Sequence, residues 1–157
     1  MKTHAVIVAA GQGTRTGRPL PKQFETLAGK PVYRWSVDAF LRHPAVSTVA
    51  IVLPAEGDAH DVIDNYRDVL KVRGGNTRSQ SVLNGITALN AARDDIVLIH
   101  DAARPGITEV LIDNILQALT TADAAAPALP VSDALKRQHS GKPVSYIHLR
   151  LPTILRV

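Results

Sequence analysis

The expected fold is decided near the N-terminus by the stretch His4-Ala5-Val6-Ile7-Val8-Ala9-Ala10-Gly11-Gln12-Gly13-Thr14-Arg15. The unbroken apolar run from His4 to Ala9 is typical of a strand that is buried on both faces of a parallel sheet. Glycines directly after such a strand let the backbone approach a phosphate and turn its N–H groups toward it. The stretch therefore predicts a first strand that ends in a phosphate-binding loop.

The rest of the chain alternates between strand-like and helix-like segments. Helices are predicted after Pro31, from Ala55 to Tyr66, from Ser79 to Arg93 and after the N-cap candidate Thr108. In the first of them, Val32, Trp35 and Ala39 are predicted to form the apolar face, with Ser36 and Phe40 beside them. The other predicted strands are Val46–Leu53, Val69–Arg73, Asp95–His100 and Ala124–Leu129. This alternation predicts an α/β fold with a doubly wound, mostly parallel sheet, which binds ligands beyond the carboxyl ends of its strands.

Composition narrows the class of protein. The 157 residues are enough for one domain with its own core, and the absence of cysteine excludes disulfide scaffolds and zinc–thiolate sites. The net charge is +4, but aromatic residues make up only 4% of the chain, which favours a small anionic ligand over nucleic acid. No apolar run approaches the ~20 residues of a membrane span, and the N-terminal apolar run is too short, and too soon followed by glycine, for a signal peptide. We therefore expect a soluble cytoplasmic protein.

The first loop belongs to neither of two common phosphate-binding types. A dinucleotide fingerprint requires glycine where the chain has Thr16, and no Gly-Lys-Ser/Thr follows at Walker A spacing. Instead, Arg15 and Lys22 lie close to the glycines in sequence and could clamp a polyphosphate. Arg18 and Lys30 are interpreted as surface cations.

Two further motifs follow predicted strands. In Arg73-Gly74-Gly75-Asn76-Thr77-Arg78-Ser79-Gln80-Ser81, the glycines allow close backbone approach, and Thr77, Ser79 or Ser81 could cap the next helix. A helix N-terminus beside an arginine suits an anion or a base edge. In His100-Asp101-Ala102-Ala103-Arg104-Pro105, the aspartate could hold Mg²⁺ or could pair with Arg104 to order the turn. His100 is interpreted as a hydrogen-bonded, partly buried histidine and not as a catalyst.

Together these motifs resemble a known family. Ala9-Ala10-Gly11-x-Gly13-x-Arg15 followed by Pro21-Lys22-Gln23 is similar to the nucleotidyltransferases of sugar and polyol phosphates. The Pro-Lys-Gln form resembles in particular the 2-C-methyl-D-erythritol 4-phosphate cytidylyltransferases of the non-mevalonate isoprenoid pathway, including bifunctional forms in which this domain is N-terminal. The resemblance implies a Rossmann-like nucleotidyltransferase fold, CTP and methylerythritol phosphate as substrates, and Mg²⁺ as cofactor.

The resemblance also implies roles for single residues. Arg15 and Lys22 would be catalytic, stabilising charge on the α-phosphate and on departing pyrophosphate. Asp101 would bind the metal and the acceptor, and Ala102 and Arg104 would bind the acceptor. The implied contacts to CTP are Ala9, Ala10, Gly11, Gly13, Thr14, Gly75, Asn76, Arg78 and Ser81.

The C-terminal part departs from the family pattern. Residues 1–130 are predicted to form the nucleotide-binding core, and residues 131–157 the start of a dimerisation arm followed by an atypical tail. Ala134 stands where several family members carry threonine, and the pattern is followed only to Arg137. The expected Gln-Thr-Pro-Gln element is missing, so we expect a chain that is truncated or shifted in reading frame, and a homodimer only if the arm is intact.

Two alternatives to methylerythritol phosphate transfer stay open. The acceptor could be another polyol phosphate such as ribitol 5-phosphate, because the loops would match nearly as well. The chain could also bind CTP without catalysis, because its second-substrate side is incomplete. A dinucleotide-dependent oxidoreductase is disfavoured by Thr16.

Overall fold

The computed structural model describes residues 1–11, 20–55 and 68–130, together with the backbone of two strands between residues 135 and 147. Contacts divide the chain into two compact units, Met1–Glu109 and Val110–Val157. This boundary precedes residue 131, where the arm was predicted to begin, and the start of that arm stays a prediction. The predicted helix from Ala55 to Tyr66 lies, apart from its first residue, outside the described residues.

The first unit contains a four-stranded parallel sheet and two longer helices. The strands lie in the order β5 (Val69–Arg73), β4 (Val46–Leu53), β1 (Thr3–Val8) and β6 (Ile96–Asp101). The crossover from β5 to β6 therefore reverses the direction in which the sheet grows. Such a reversal opens a crevice beyond the carboxyl ends of the two strands on either side of it, here β1 and β6. The elements are, in chain order, β1 (Thr3–Val8), β2 (Thr26–Leu27), β3 (Lys30–Pro31), α1 (Val32–Arg42), β4 (Val46–Leu53), β5 (Val69–Arg73), α2 (Arg78–Leu89) and β6 (Ile96–Asp101).

Helix α2 covers one face of the sheet. Its Leu89 forms a buried apolar cluster with Val6 of β1 and with Ala50 and Val52 of β4. Gly85 brings the helix very close, because a Cβ at this position would lie 2.5 Å from Cγ1 of Val6. The side chains alternate along each strand, so the neighbouring residues of β1 and β4 face the other way.

Helix α1 packs on the opposite face, which confirms the doubly wound α/β prediction. The buried residues of this helix are Tyr33, Ser36, Val37 and Phe40. Ser36 and Phe40 were predicted beside the apolar face, whereas its predicted centre, Val32, Trp35 and Ala39, is only partly buried, so the buried face lies one position further along the helix. Trp35 is only half-buried, and its indole nitrogen donates at 3.1 Å to the carbonyl of Leu27, the last residue of β2. The helix thus turns a serine toward the sheet, next to β6.

A carboxylate ties together the end of the sheet opposite the crevice. Asp95 accepts hydrogen bonds from the backbone nitrogens of Lys2 at 2.6 Å and Ala92 at 2.9 Å, and it lies 3.3 Å from Nε2 of the buried His4. These backbone hydrogen bonds lower the pKa of Asp95 to about 2. The start of β1 is therefore fastened to the turn that precedes β6.

The second unit contains helix α3 (Glu109–Ala118) and an antiparallel hairpin of β7 (Leu135–His139) and β8 (Lys142–Ile147). Thr108 directly precedes α3, where the N-cap was predicted. The predicted strand at residues 124–129 is wrong, because these residues form no strand and Leu129 is 90% exposed. An apolar run becomes a strand only when a neighbouring strand accepts and donates its backbone hydrogen bonds. No helix among the described residues is long and apolar enough to cross a membrane.

Candidate functional site

The three predicted motifs all begin where strands β1, β5 and β6 end. Carboxyl ends of parallel strands lie at one edge of a sheet, so the motifs share that edge. Two contacts join them directly. A Cβ on Gly74 would lie 2.6 Å from Cβ of Ala10, so the second motif packs against the first. Nη2 of Arg78 lies 2.8 Å from Oδ1 of Asp101, so the second motif also pairs with the third.

Several backbone groups of the loop after β1 are hydrogen-bonded to other parts of the protein. The N–H of Ala9 donates to the carbonyl of Val52 at 2.7 Å, and its carbonyl accepts from Nε2 of Gln23 at 2.7 Å. Gln23 also donates to the carbonyl of Gly11 at 2.6 Å. Ala10 is half-buried and Gly11 is exposed. The predicted site residues Gly13, Thr14 and Arg15 lie outside the described residues, as does the surface cation Arg18.

Lys22 begins a short 3₁₀ turn, Lys22–Phe24, and its side chain is exposed. The turn is anchored on α1, because the ring of Phe24 meets the ring of Tyr33 edge-on at a centroid distance of 5.8 Å. Lys30 has a different role. Its ammonium lies 2.6 Å from Oδ2 of Asp38 and 3.9 Å from the ring centroid of Trp35, so it stabilises the start of α1.

The second motif is a tight glycine turn that leads into α2. Thr77 caps the helix by accepting from the N–H of Gln80 at 3.1 Å, which settles which of the three hydroxyl residues is the cap. Ser81 is 2% exposed, and its hydroxyl oxygen accepts from the N–H of Gly75 at 3.1 Å. The same hydroxyl donates to the carbonyl of Thr77 at 3.0 Å, so it holds the glycine turn in place.

Of the predicted CTP contacts in the second motif, Asn76 and Arg78 are exposed to solvent. Gly75 is half-buried, and a Cβ there would collide with the side chain of Gln80. A helix N-terminus carries a partial positive charge, which the guanidinium of Arg78 reinforces. The predicted CTP contacts of this motif thus lie together at one electropositive position, with Ser81 beneath them.

The third motif places its aspartate between two arginines. Besides its contact with Arg78, Asp101 lies 3.3 Å from Nε of Arg104, and its side chain is 33% exposed. Ala102 is fully buried, and its N–H donates to the carbonyl of Val8 at 3.0 Å, so its backbone helps to join β6 to β1. Arg104 is exposed at the surface of the loop. Three cations, Lys22, Arg78 and Arg104, therefore border this edge of the sheet with one carboxylate among them.

His100 supports this loop from below, as the sequence suggested. Its Nε2 lies 2.9 Å from the carbonyl of Arg104 and 3.1 Å from Oγ of Ser36, and its ring meets the ring of Phe40 edge-on. Burial lowers the pKa of His100, although the carbonyl of Arg104 and the charge of Asp101 act in the opposite direction. A neutral imidazole therefore holds the turn that carries Asp101 and Arg104.

Among the described residues, no group of three or more histidine or acidic side chains could hold a metal ion by itself. Asp101 is the single carboxylate at the site edge in the described motifs. One carboxylate suits Mg²⁺, which keeps several waters and takes other ligands from nucleotide phosphates.

Two residues that contribute to the site had no role assigned from the sequence. Gln23 belongs to the Pro-Lys-Gln motif, but the sequence indicated a role only for its neighbour Lys22, because a cation can bind phosphate. Ser36 lies in the middle of the buried face of α1, and a polar residue in such a face is the signal that could have identified it. Both hold loops through side-chain contacts that span many residues in sequence.

Comparison with known proteins agrees with the geometry. The family model for 2-C-methyl-D-erythritol 4-phosphate cytidylyltransferase (IspD) matches residues 3–150, further than the residue-by-residue resemblance, which ended at Arg137. The cytidylyltransferase of Cereibacter sphaeroides is 45% identical over 147 residues, which cover 92% of this chain and 65% of that protein. The bifunctional IspD/IspF enzyme of Hyphomonas neptunium is 44% identical over 86% of this chain and 35% of its own length.

Solved structures give the same result. A crystal structure of 4-diphosphocytidyl-2C-methyl-D-erythritol synthase superposes with a TM-score of 0.76 at 31% identity and covers 93% of this chain and 67% of that chain. The enzyme of Thermus thermophilus has a TM-score of 0.65 at 27% identity, over 90% of this chain and 61% of its own. The chain thus spans about one third to two thirds of the length of these relatives. By sequence and by fold, the chain belongs to the 2-C-methyl-D-erythritol 4-phosphate cytidylyltransferase family.

Proposed function

We propose that this chain binds CTP and transfers its cytidylyl group to 2-C-methyl-D-erythritol 4-phosphate, releasing pyrophosphate. One observation carries the proposal. The loop after β1, the glycine turn before α2 and the Asp101 loop share one sheet edge and are joined by the Ala10–Gly74 and Arg78–Asp101 contacts. Membership of the cytidylyltransferase family supports the choice of CTP and methylerythritol phosphate as the substrates.

The chemistry requires alignment more than proton transfer. An oxygen of the acceptor phosphate forms a new bond to the α-phosphorus of CTP. The bond from that phosphorus to the bridging β-phosphate oxygen breaks, and pyrophosphate leaves with the electron pair. A phosphate monoester with a second pKa of about 6 is already largely dianionic at neutral pH, so its attack needs no general base. Catalysis then consists of positioning and of stabilising charge.

The chain supplies groups for both tasks. Arg15 and Lys22 are proposed to stabilise charge on the α-phosphate and on departing pyrophosphate. The backbone of Ala10, Gly11, Gly13 and Thr14 would receive the phosphates, while Ala9 has both backbone groups engaged with Val52 and Gln23 and acts through its neighbours.

The other two motifs are proposed to hold the two ends of the reaction complex. The glycine turn with Asn76 and Arg78 would hold cytosine and ribose, and the buried Ser81 would keep that turn in shape. Arg104 is proposed to bind the phosphate of the acceptor, because its guanidinium is exposed beside the Asp101 carboxylate. Ala102 supports the same loop through its backbone.

We propose Mg²⁺ as the cofactor, with Asp101 as its ligand from the described residues. When bound, the ion would neutralise phosphate charge. Asp101 pairs with Arg78 through Oδ1 and with Arg104 through Oδ2, and each carboxylate oxygen keeps a lone pair with which it could hold the ion. We further propose a cytoplasmic homodimer that forms through the arm after residue 130, and no interaction with nucleic acid.

The test is pyrophosphate release by the purified chain with CTP, Mg²⁺ and methylerythritol phosphate. We expect release only when all three are present, and none with ribitol 5-phosphate as acceptor. CTP binding measured by calorimetry without release from any acceptor would replace this proposal with a binding function. Release with ribitol 5-phosphate alone would replace the acceptor.

A further inference from the structure

Gln23 is a buried polar side chain that connects two parts of the site. It is 6% exposed, and its single amide nitrogen donates to two backbone carbonyls, those of Ala9 at 2.7 Å and Gly11 at 2.6 Å. Both partners are carbonyl oxygens, which only accept, so the nitrogen and not the oxygen of the amide must face them. The two hydrogens of one NH₂ group thus bridge alternate residues of the phosphate loop.

These bonds determine the direction in which the loop presents its backbone. The N–H of Ala9 is already used by Val52. With the carbonyls of Ala9 and Gly11 drawn toward Gln23, the N–H groups of Ala10 and Gly11 donate to no other residue in the described part of the chain. Backbone N–H groups of this kind form the cradle of an anion site. Without Gln23, the two carbonyls would lose their partner, and the loop would be free to turn them elsewhere.

Gln23 also connects this loop to Lys22, the residue before it. The turn Lys22–Phe24 is held independently of the loop, by the N–H of Phe24 on the carbonyl of Pro21 at 2.9 Å and by the Phe24–Tyr33 ring contact. The turn that carries Lys22 is therefore held by α1. The two hydrogen bonds from the Gln23 amide fix the position of the loop relative to Lys22. We propose that Gln23 is a positioning residue that aligns the phosphate loop and the Lys22 ammonium on the same triphosphate; this rests on the proposed function.

The first test is a double-mutant cycle of pyrophosphate release. Gln23→Met keeps the length and shape of the side chain and removes the donor. We expect kcat to fall about 10- to 100-fold, the cost of a misplacement of about 1 Å at a reacting centre, with KM for the acceptor changed less than about threefold. In a Lys22→Ala background, Gln23→Met should lower kcat less than about threefold, because there is no lysine ammonium left for Gln23 to align with the loop. Equal losses in both backgrounds would overturn the proposal.

A matched control removes an exposed glutamine that lies outside the three motifs in sequence. Gln117 is an exposed residue of α3, and Gln117→Met is expected to leave kcat unchanged. If the wild-type chain releases no pyrophosphate, the proposed function fails. The hold of Gln23 on the loop is then tested separately by amide hydrogen exchange. Gln23→Met should speed exchange at Ala9, whose N–H donates to the carbonyl of Val52, by about tenfold or more while leaving Ile51 and Val52 protected. Unchanged exchange at Ala9 would show that Gln23 does not hold the loop.

Discussion

Individual side chains at the sheet edge divide into those that hold loops and those that face solvent. Gln23, Ser81 and His100 are largely buried and hydrogen-bonded to backbone groups of the three loops. Lys22 and Arg78 are exposed. This division follows from cost, because a buried polar group is tolerated only with a partner, whereas a ligand-binding cation must keep its donors available.

Lys22 is expected to act on turnover more than on binding. Lys22→Ala should lower kcat by about 10²- to 10³-fold, the range for loss of one group that stabilises transition-state charge, and should weaken CTP binding only a few-fold. Pyrophosphate release and calorimetry with CTP measure the two quantities. Lys30→Ala is the control, because Lys30 pairs with Asp38 and lies against Trp35, and its kcat should equal that of the wild type. Equal kcat for Lys22→Ala and the wild type would contradict the role.

Between elements, the decisive contacts are close backbone approaches. The glycine turn after β5 packs on the loop after β1, since a Cβ on Gly74 would lie 2.6 Å from Cβ of Ala10 and 2.9 Å from the carbonyl of Leu53. Neither partner is the end of a flexible side chain that could move away. The second motif therefore packs directly on the first because residue 74 has no side chain, and the hydrogen bond from Gly74 N to the carbonyl of Leu53 at 2.7 Å fastens it to the end of β4.

Gly74→Ala should accordingly destabilise the chain by about 1–3 kcal/mol, the usual cost of overpacking, and should also weaken CTP binding because the loop must shift. Gly106→Ala provides the comparison, since a Cβ there meets nothing within 4 Å. Its stability should stay within about 1 kcal/mol of the wild type or rise slightly, through a less flexible unfolded chain. Urea unfolding measures the stability of both variants. Equal urea midpoints for Gly74→Ala and Gly106→Ala would contradict the steric argument.

Across the whole first unit, the sheet has two differently built ends. The carboxyl end carries the three loops of the site, whereas the amino end is fastened by Asp95 to the backbone of Lys2 and Ala92. Two titratable residues therefore report on different ends, His100 beneath the site and Asp95 at the opposite end.

The pH dependence of stability should separate these two ends. The pKa of His100 is lowered by burial from its usual 6.5, so the unfolded chain binds the proton more readily. The contribution of His100 is complete above about pH 6.5 and is lost as the pH falls through its lower folded pKa. Asp95 contributes above 3.8, and this contribution is lost as the pH falls toward about 2.

Urea midpoints measured from pH 2 to pH 8 test this separation. His100→Asn should flatten the decline just below pH 6.5, whereas Asp95→Asn should preserve that decline and flatten the one at lower pH. A His100→Asn profile that parallels the wild type over the upper window would contradict the assignment.

Local sequence was sufficient to predict the features that depend on neighbouring residues alone. Apolar runs identified β1, β4 and β6, and the short segment from Val69 to Arg73 identified β5. The glycines, arginines and aspartate at the ends of β1, β5 and β6 indicated the candidate site. A strand buried on both faces needs apolar residues throughout, and a phosphate loop needs glycine, so both constraints are visible in neighbouring residues.

Only the tertiary structure decided which segments pair and which side chains support the site. Residues 124–129 are apolar but form no strand, because pairing requires a partner from elsewhere in the chain. The buried face of α1 was shifted by one position, because Trp35 is engaged with Leu27 and Lys30. Gln23 and Ser36 act across 12 to 68 residues, as in the hydrogen bonds from Gln23 to Gly11 and from Ser36 to Arg104. Such contacts exist only after the chain folds, because local sequence does not encode a partner so far away.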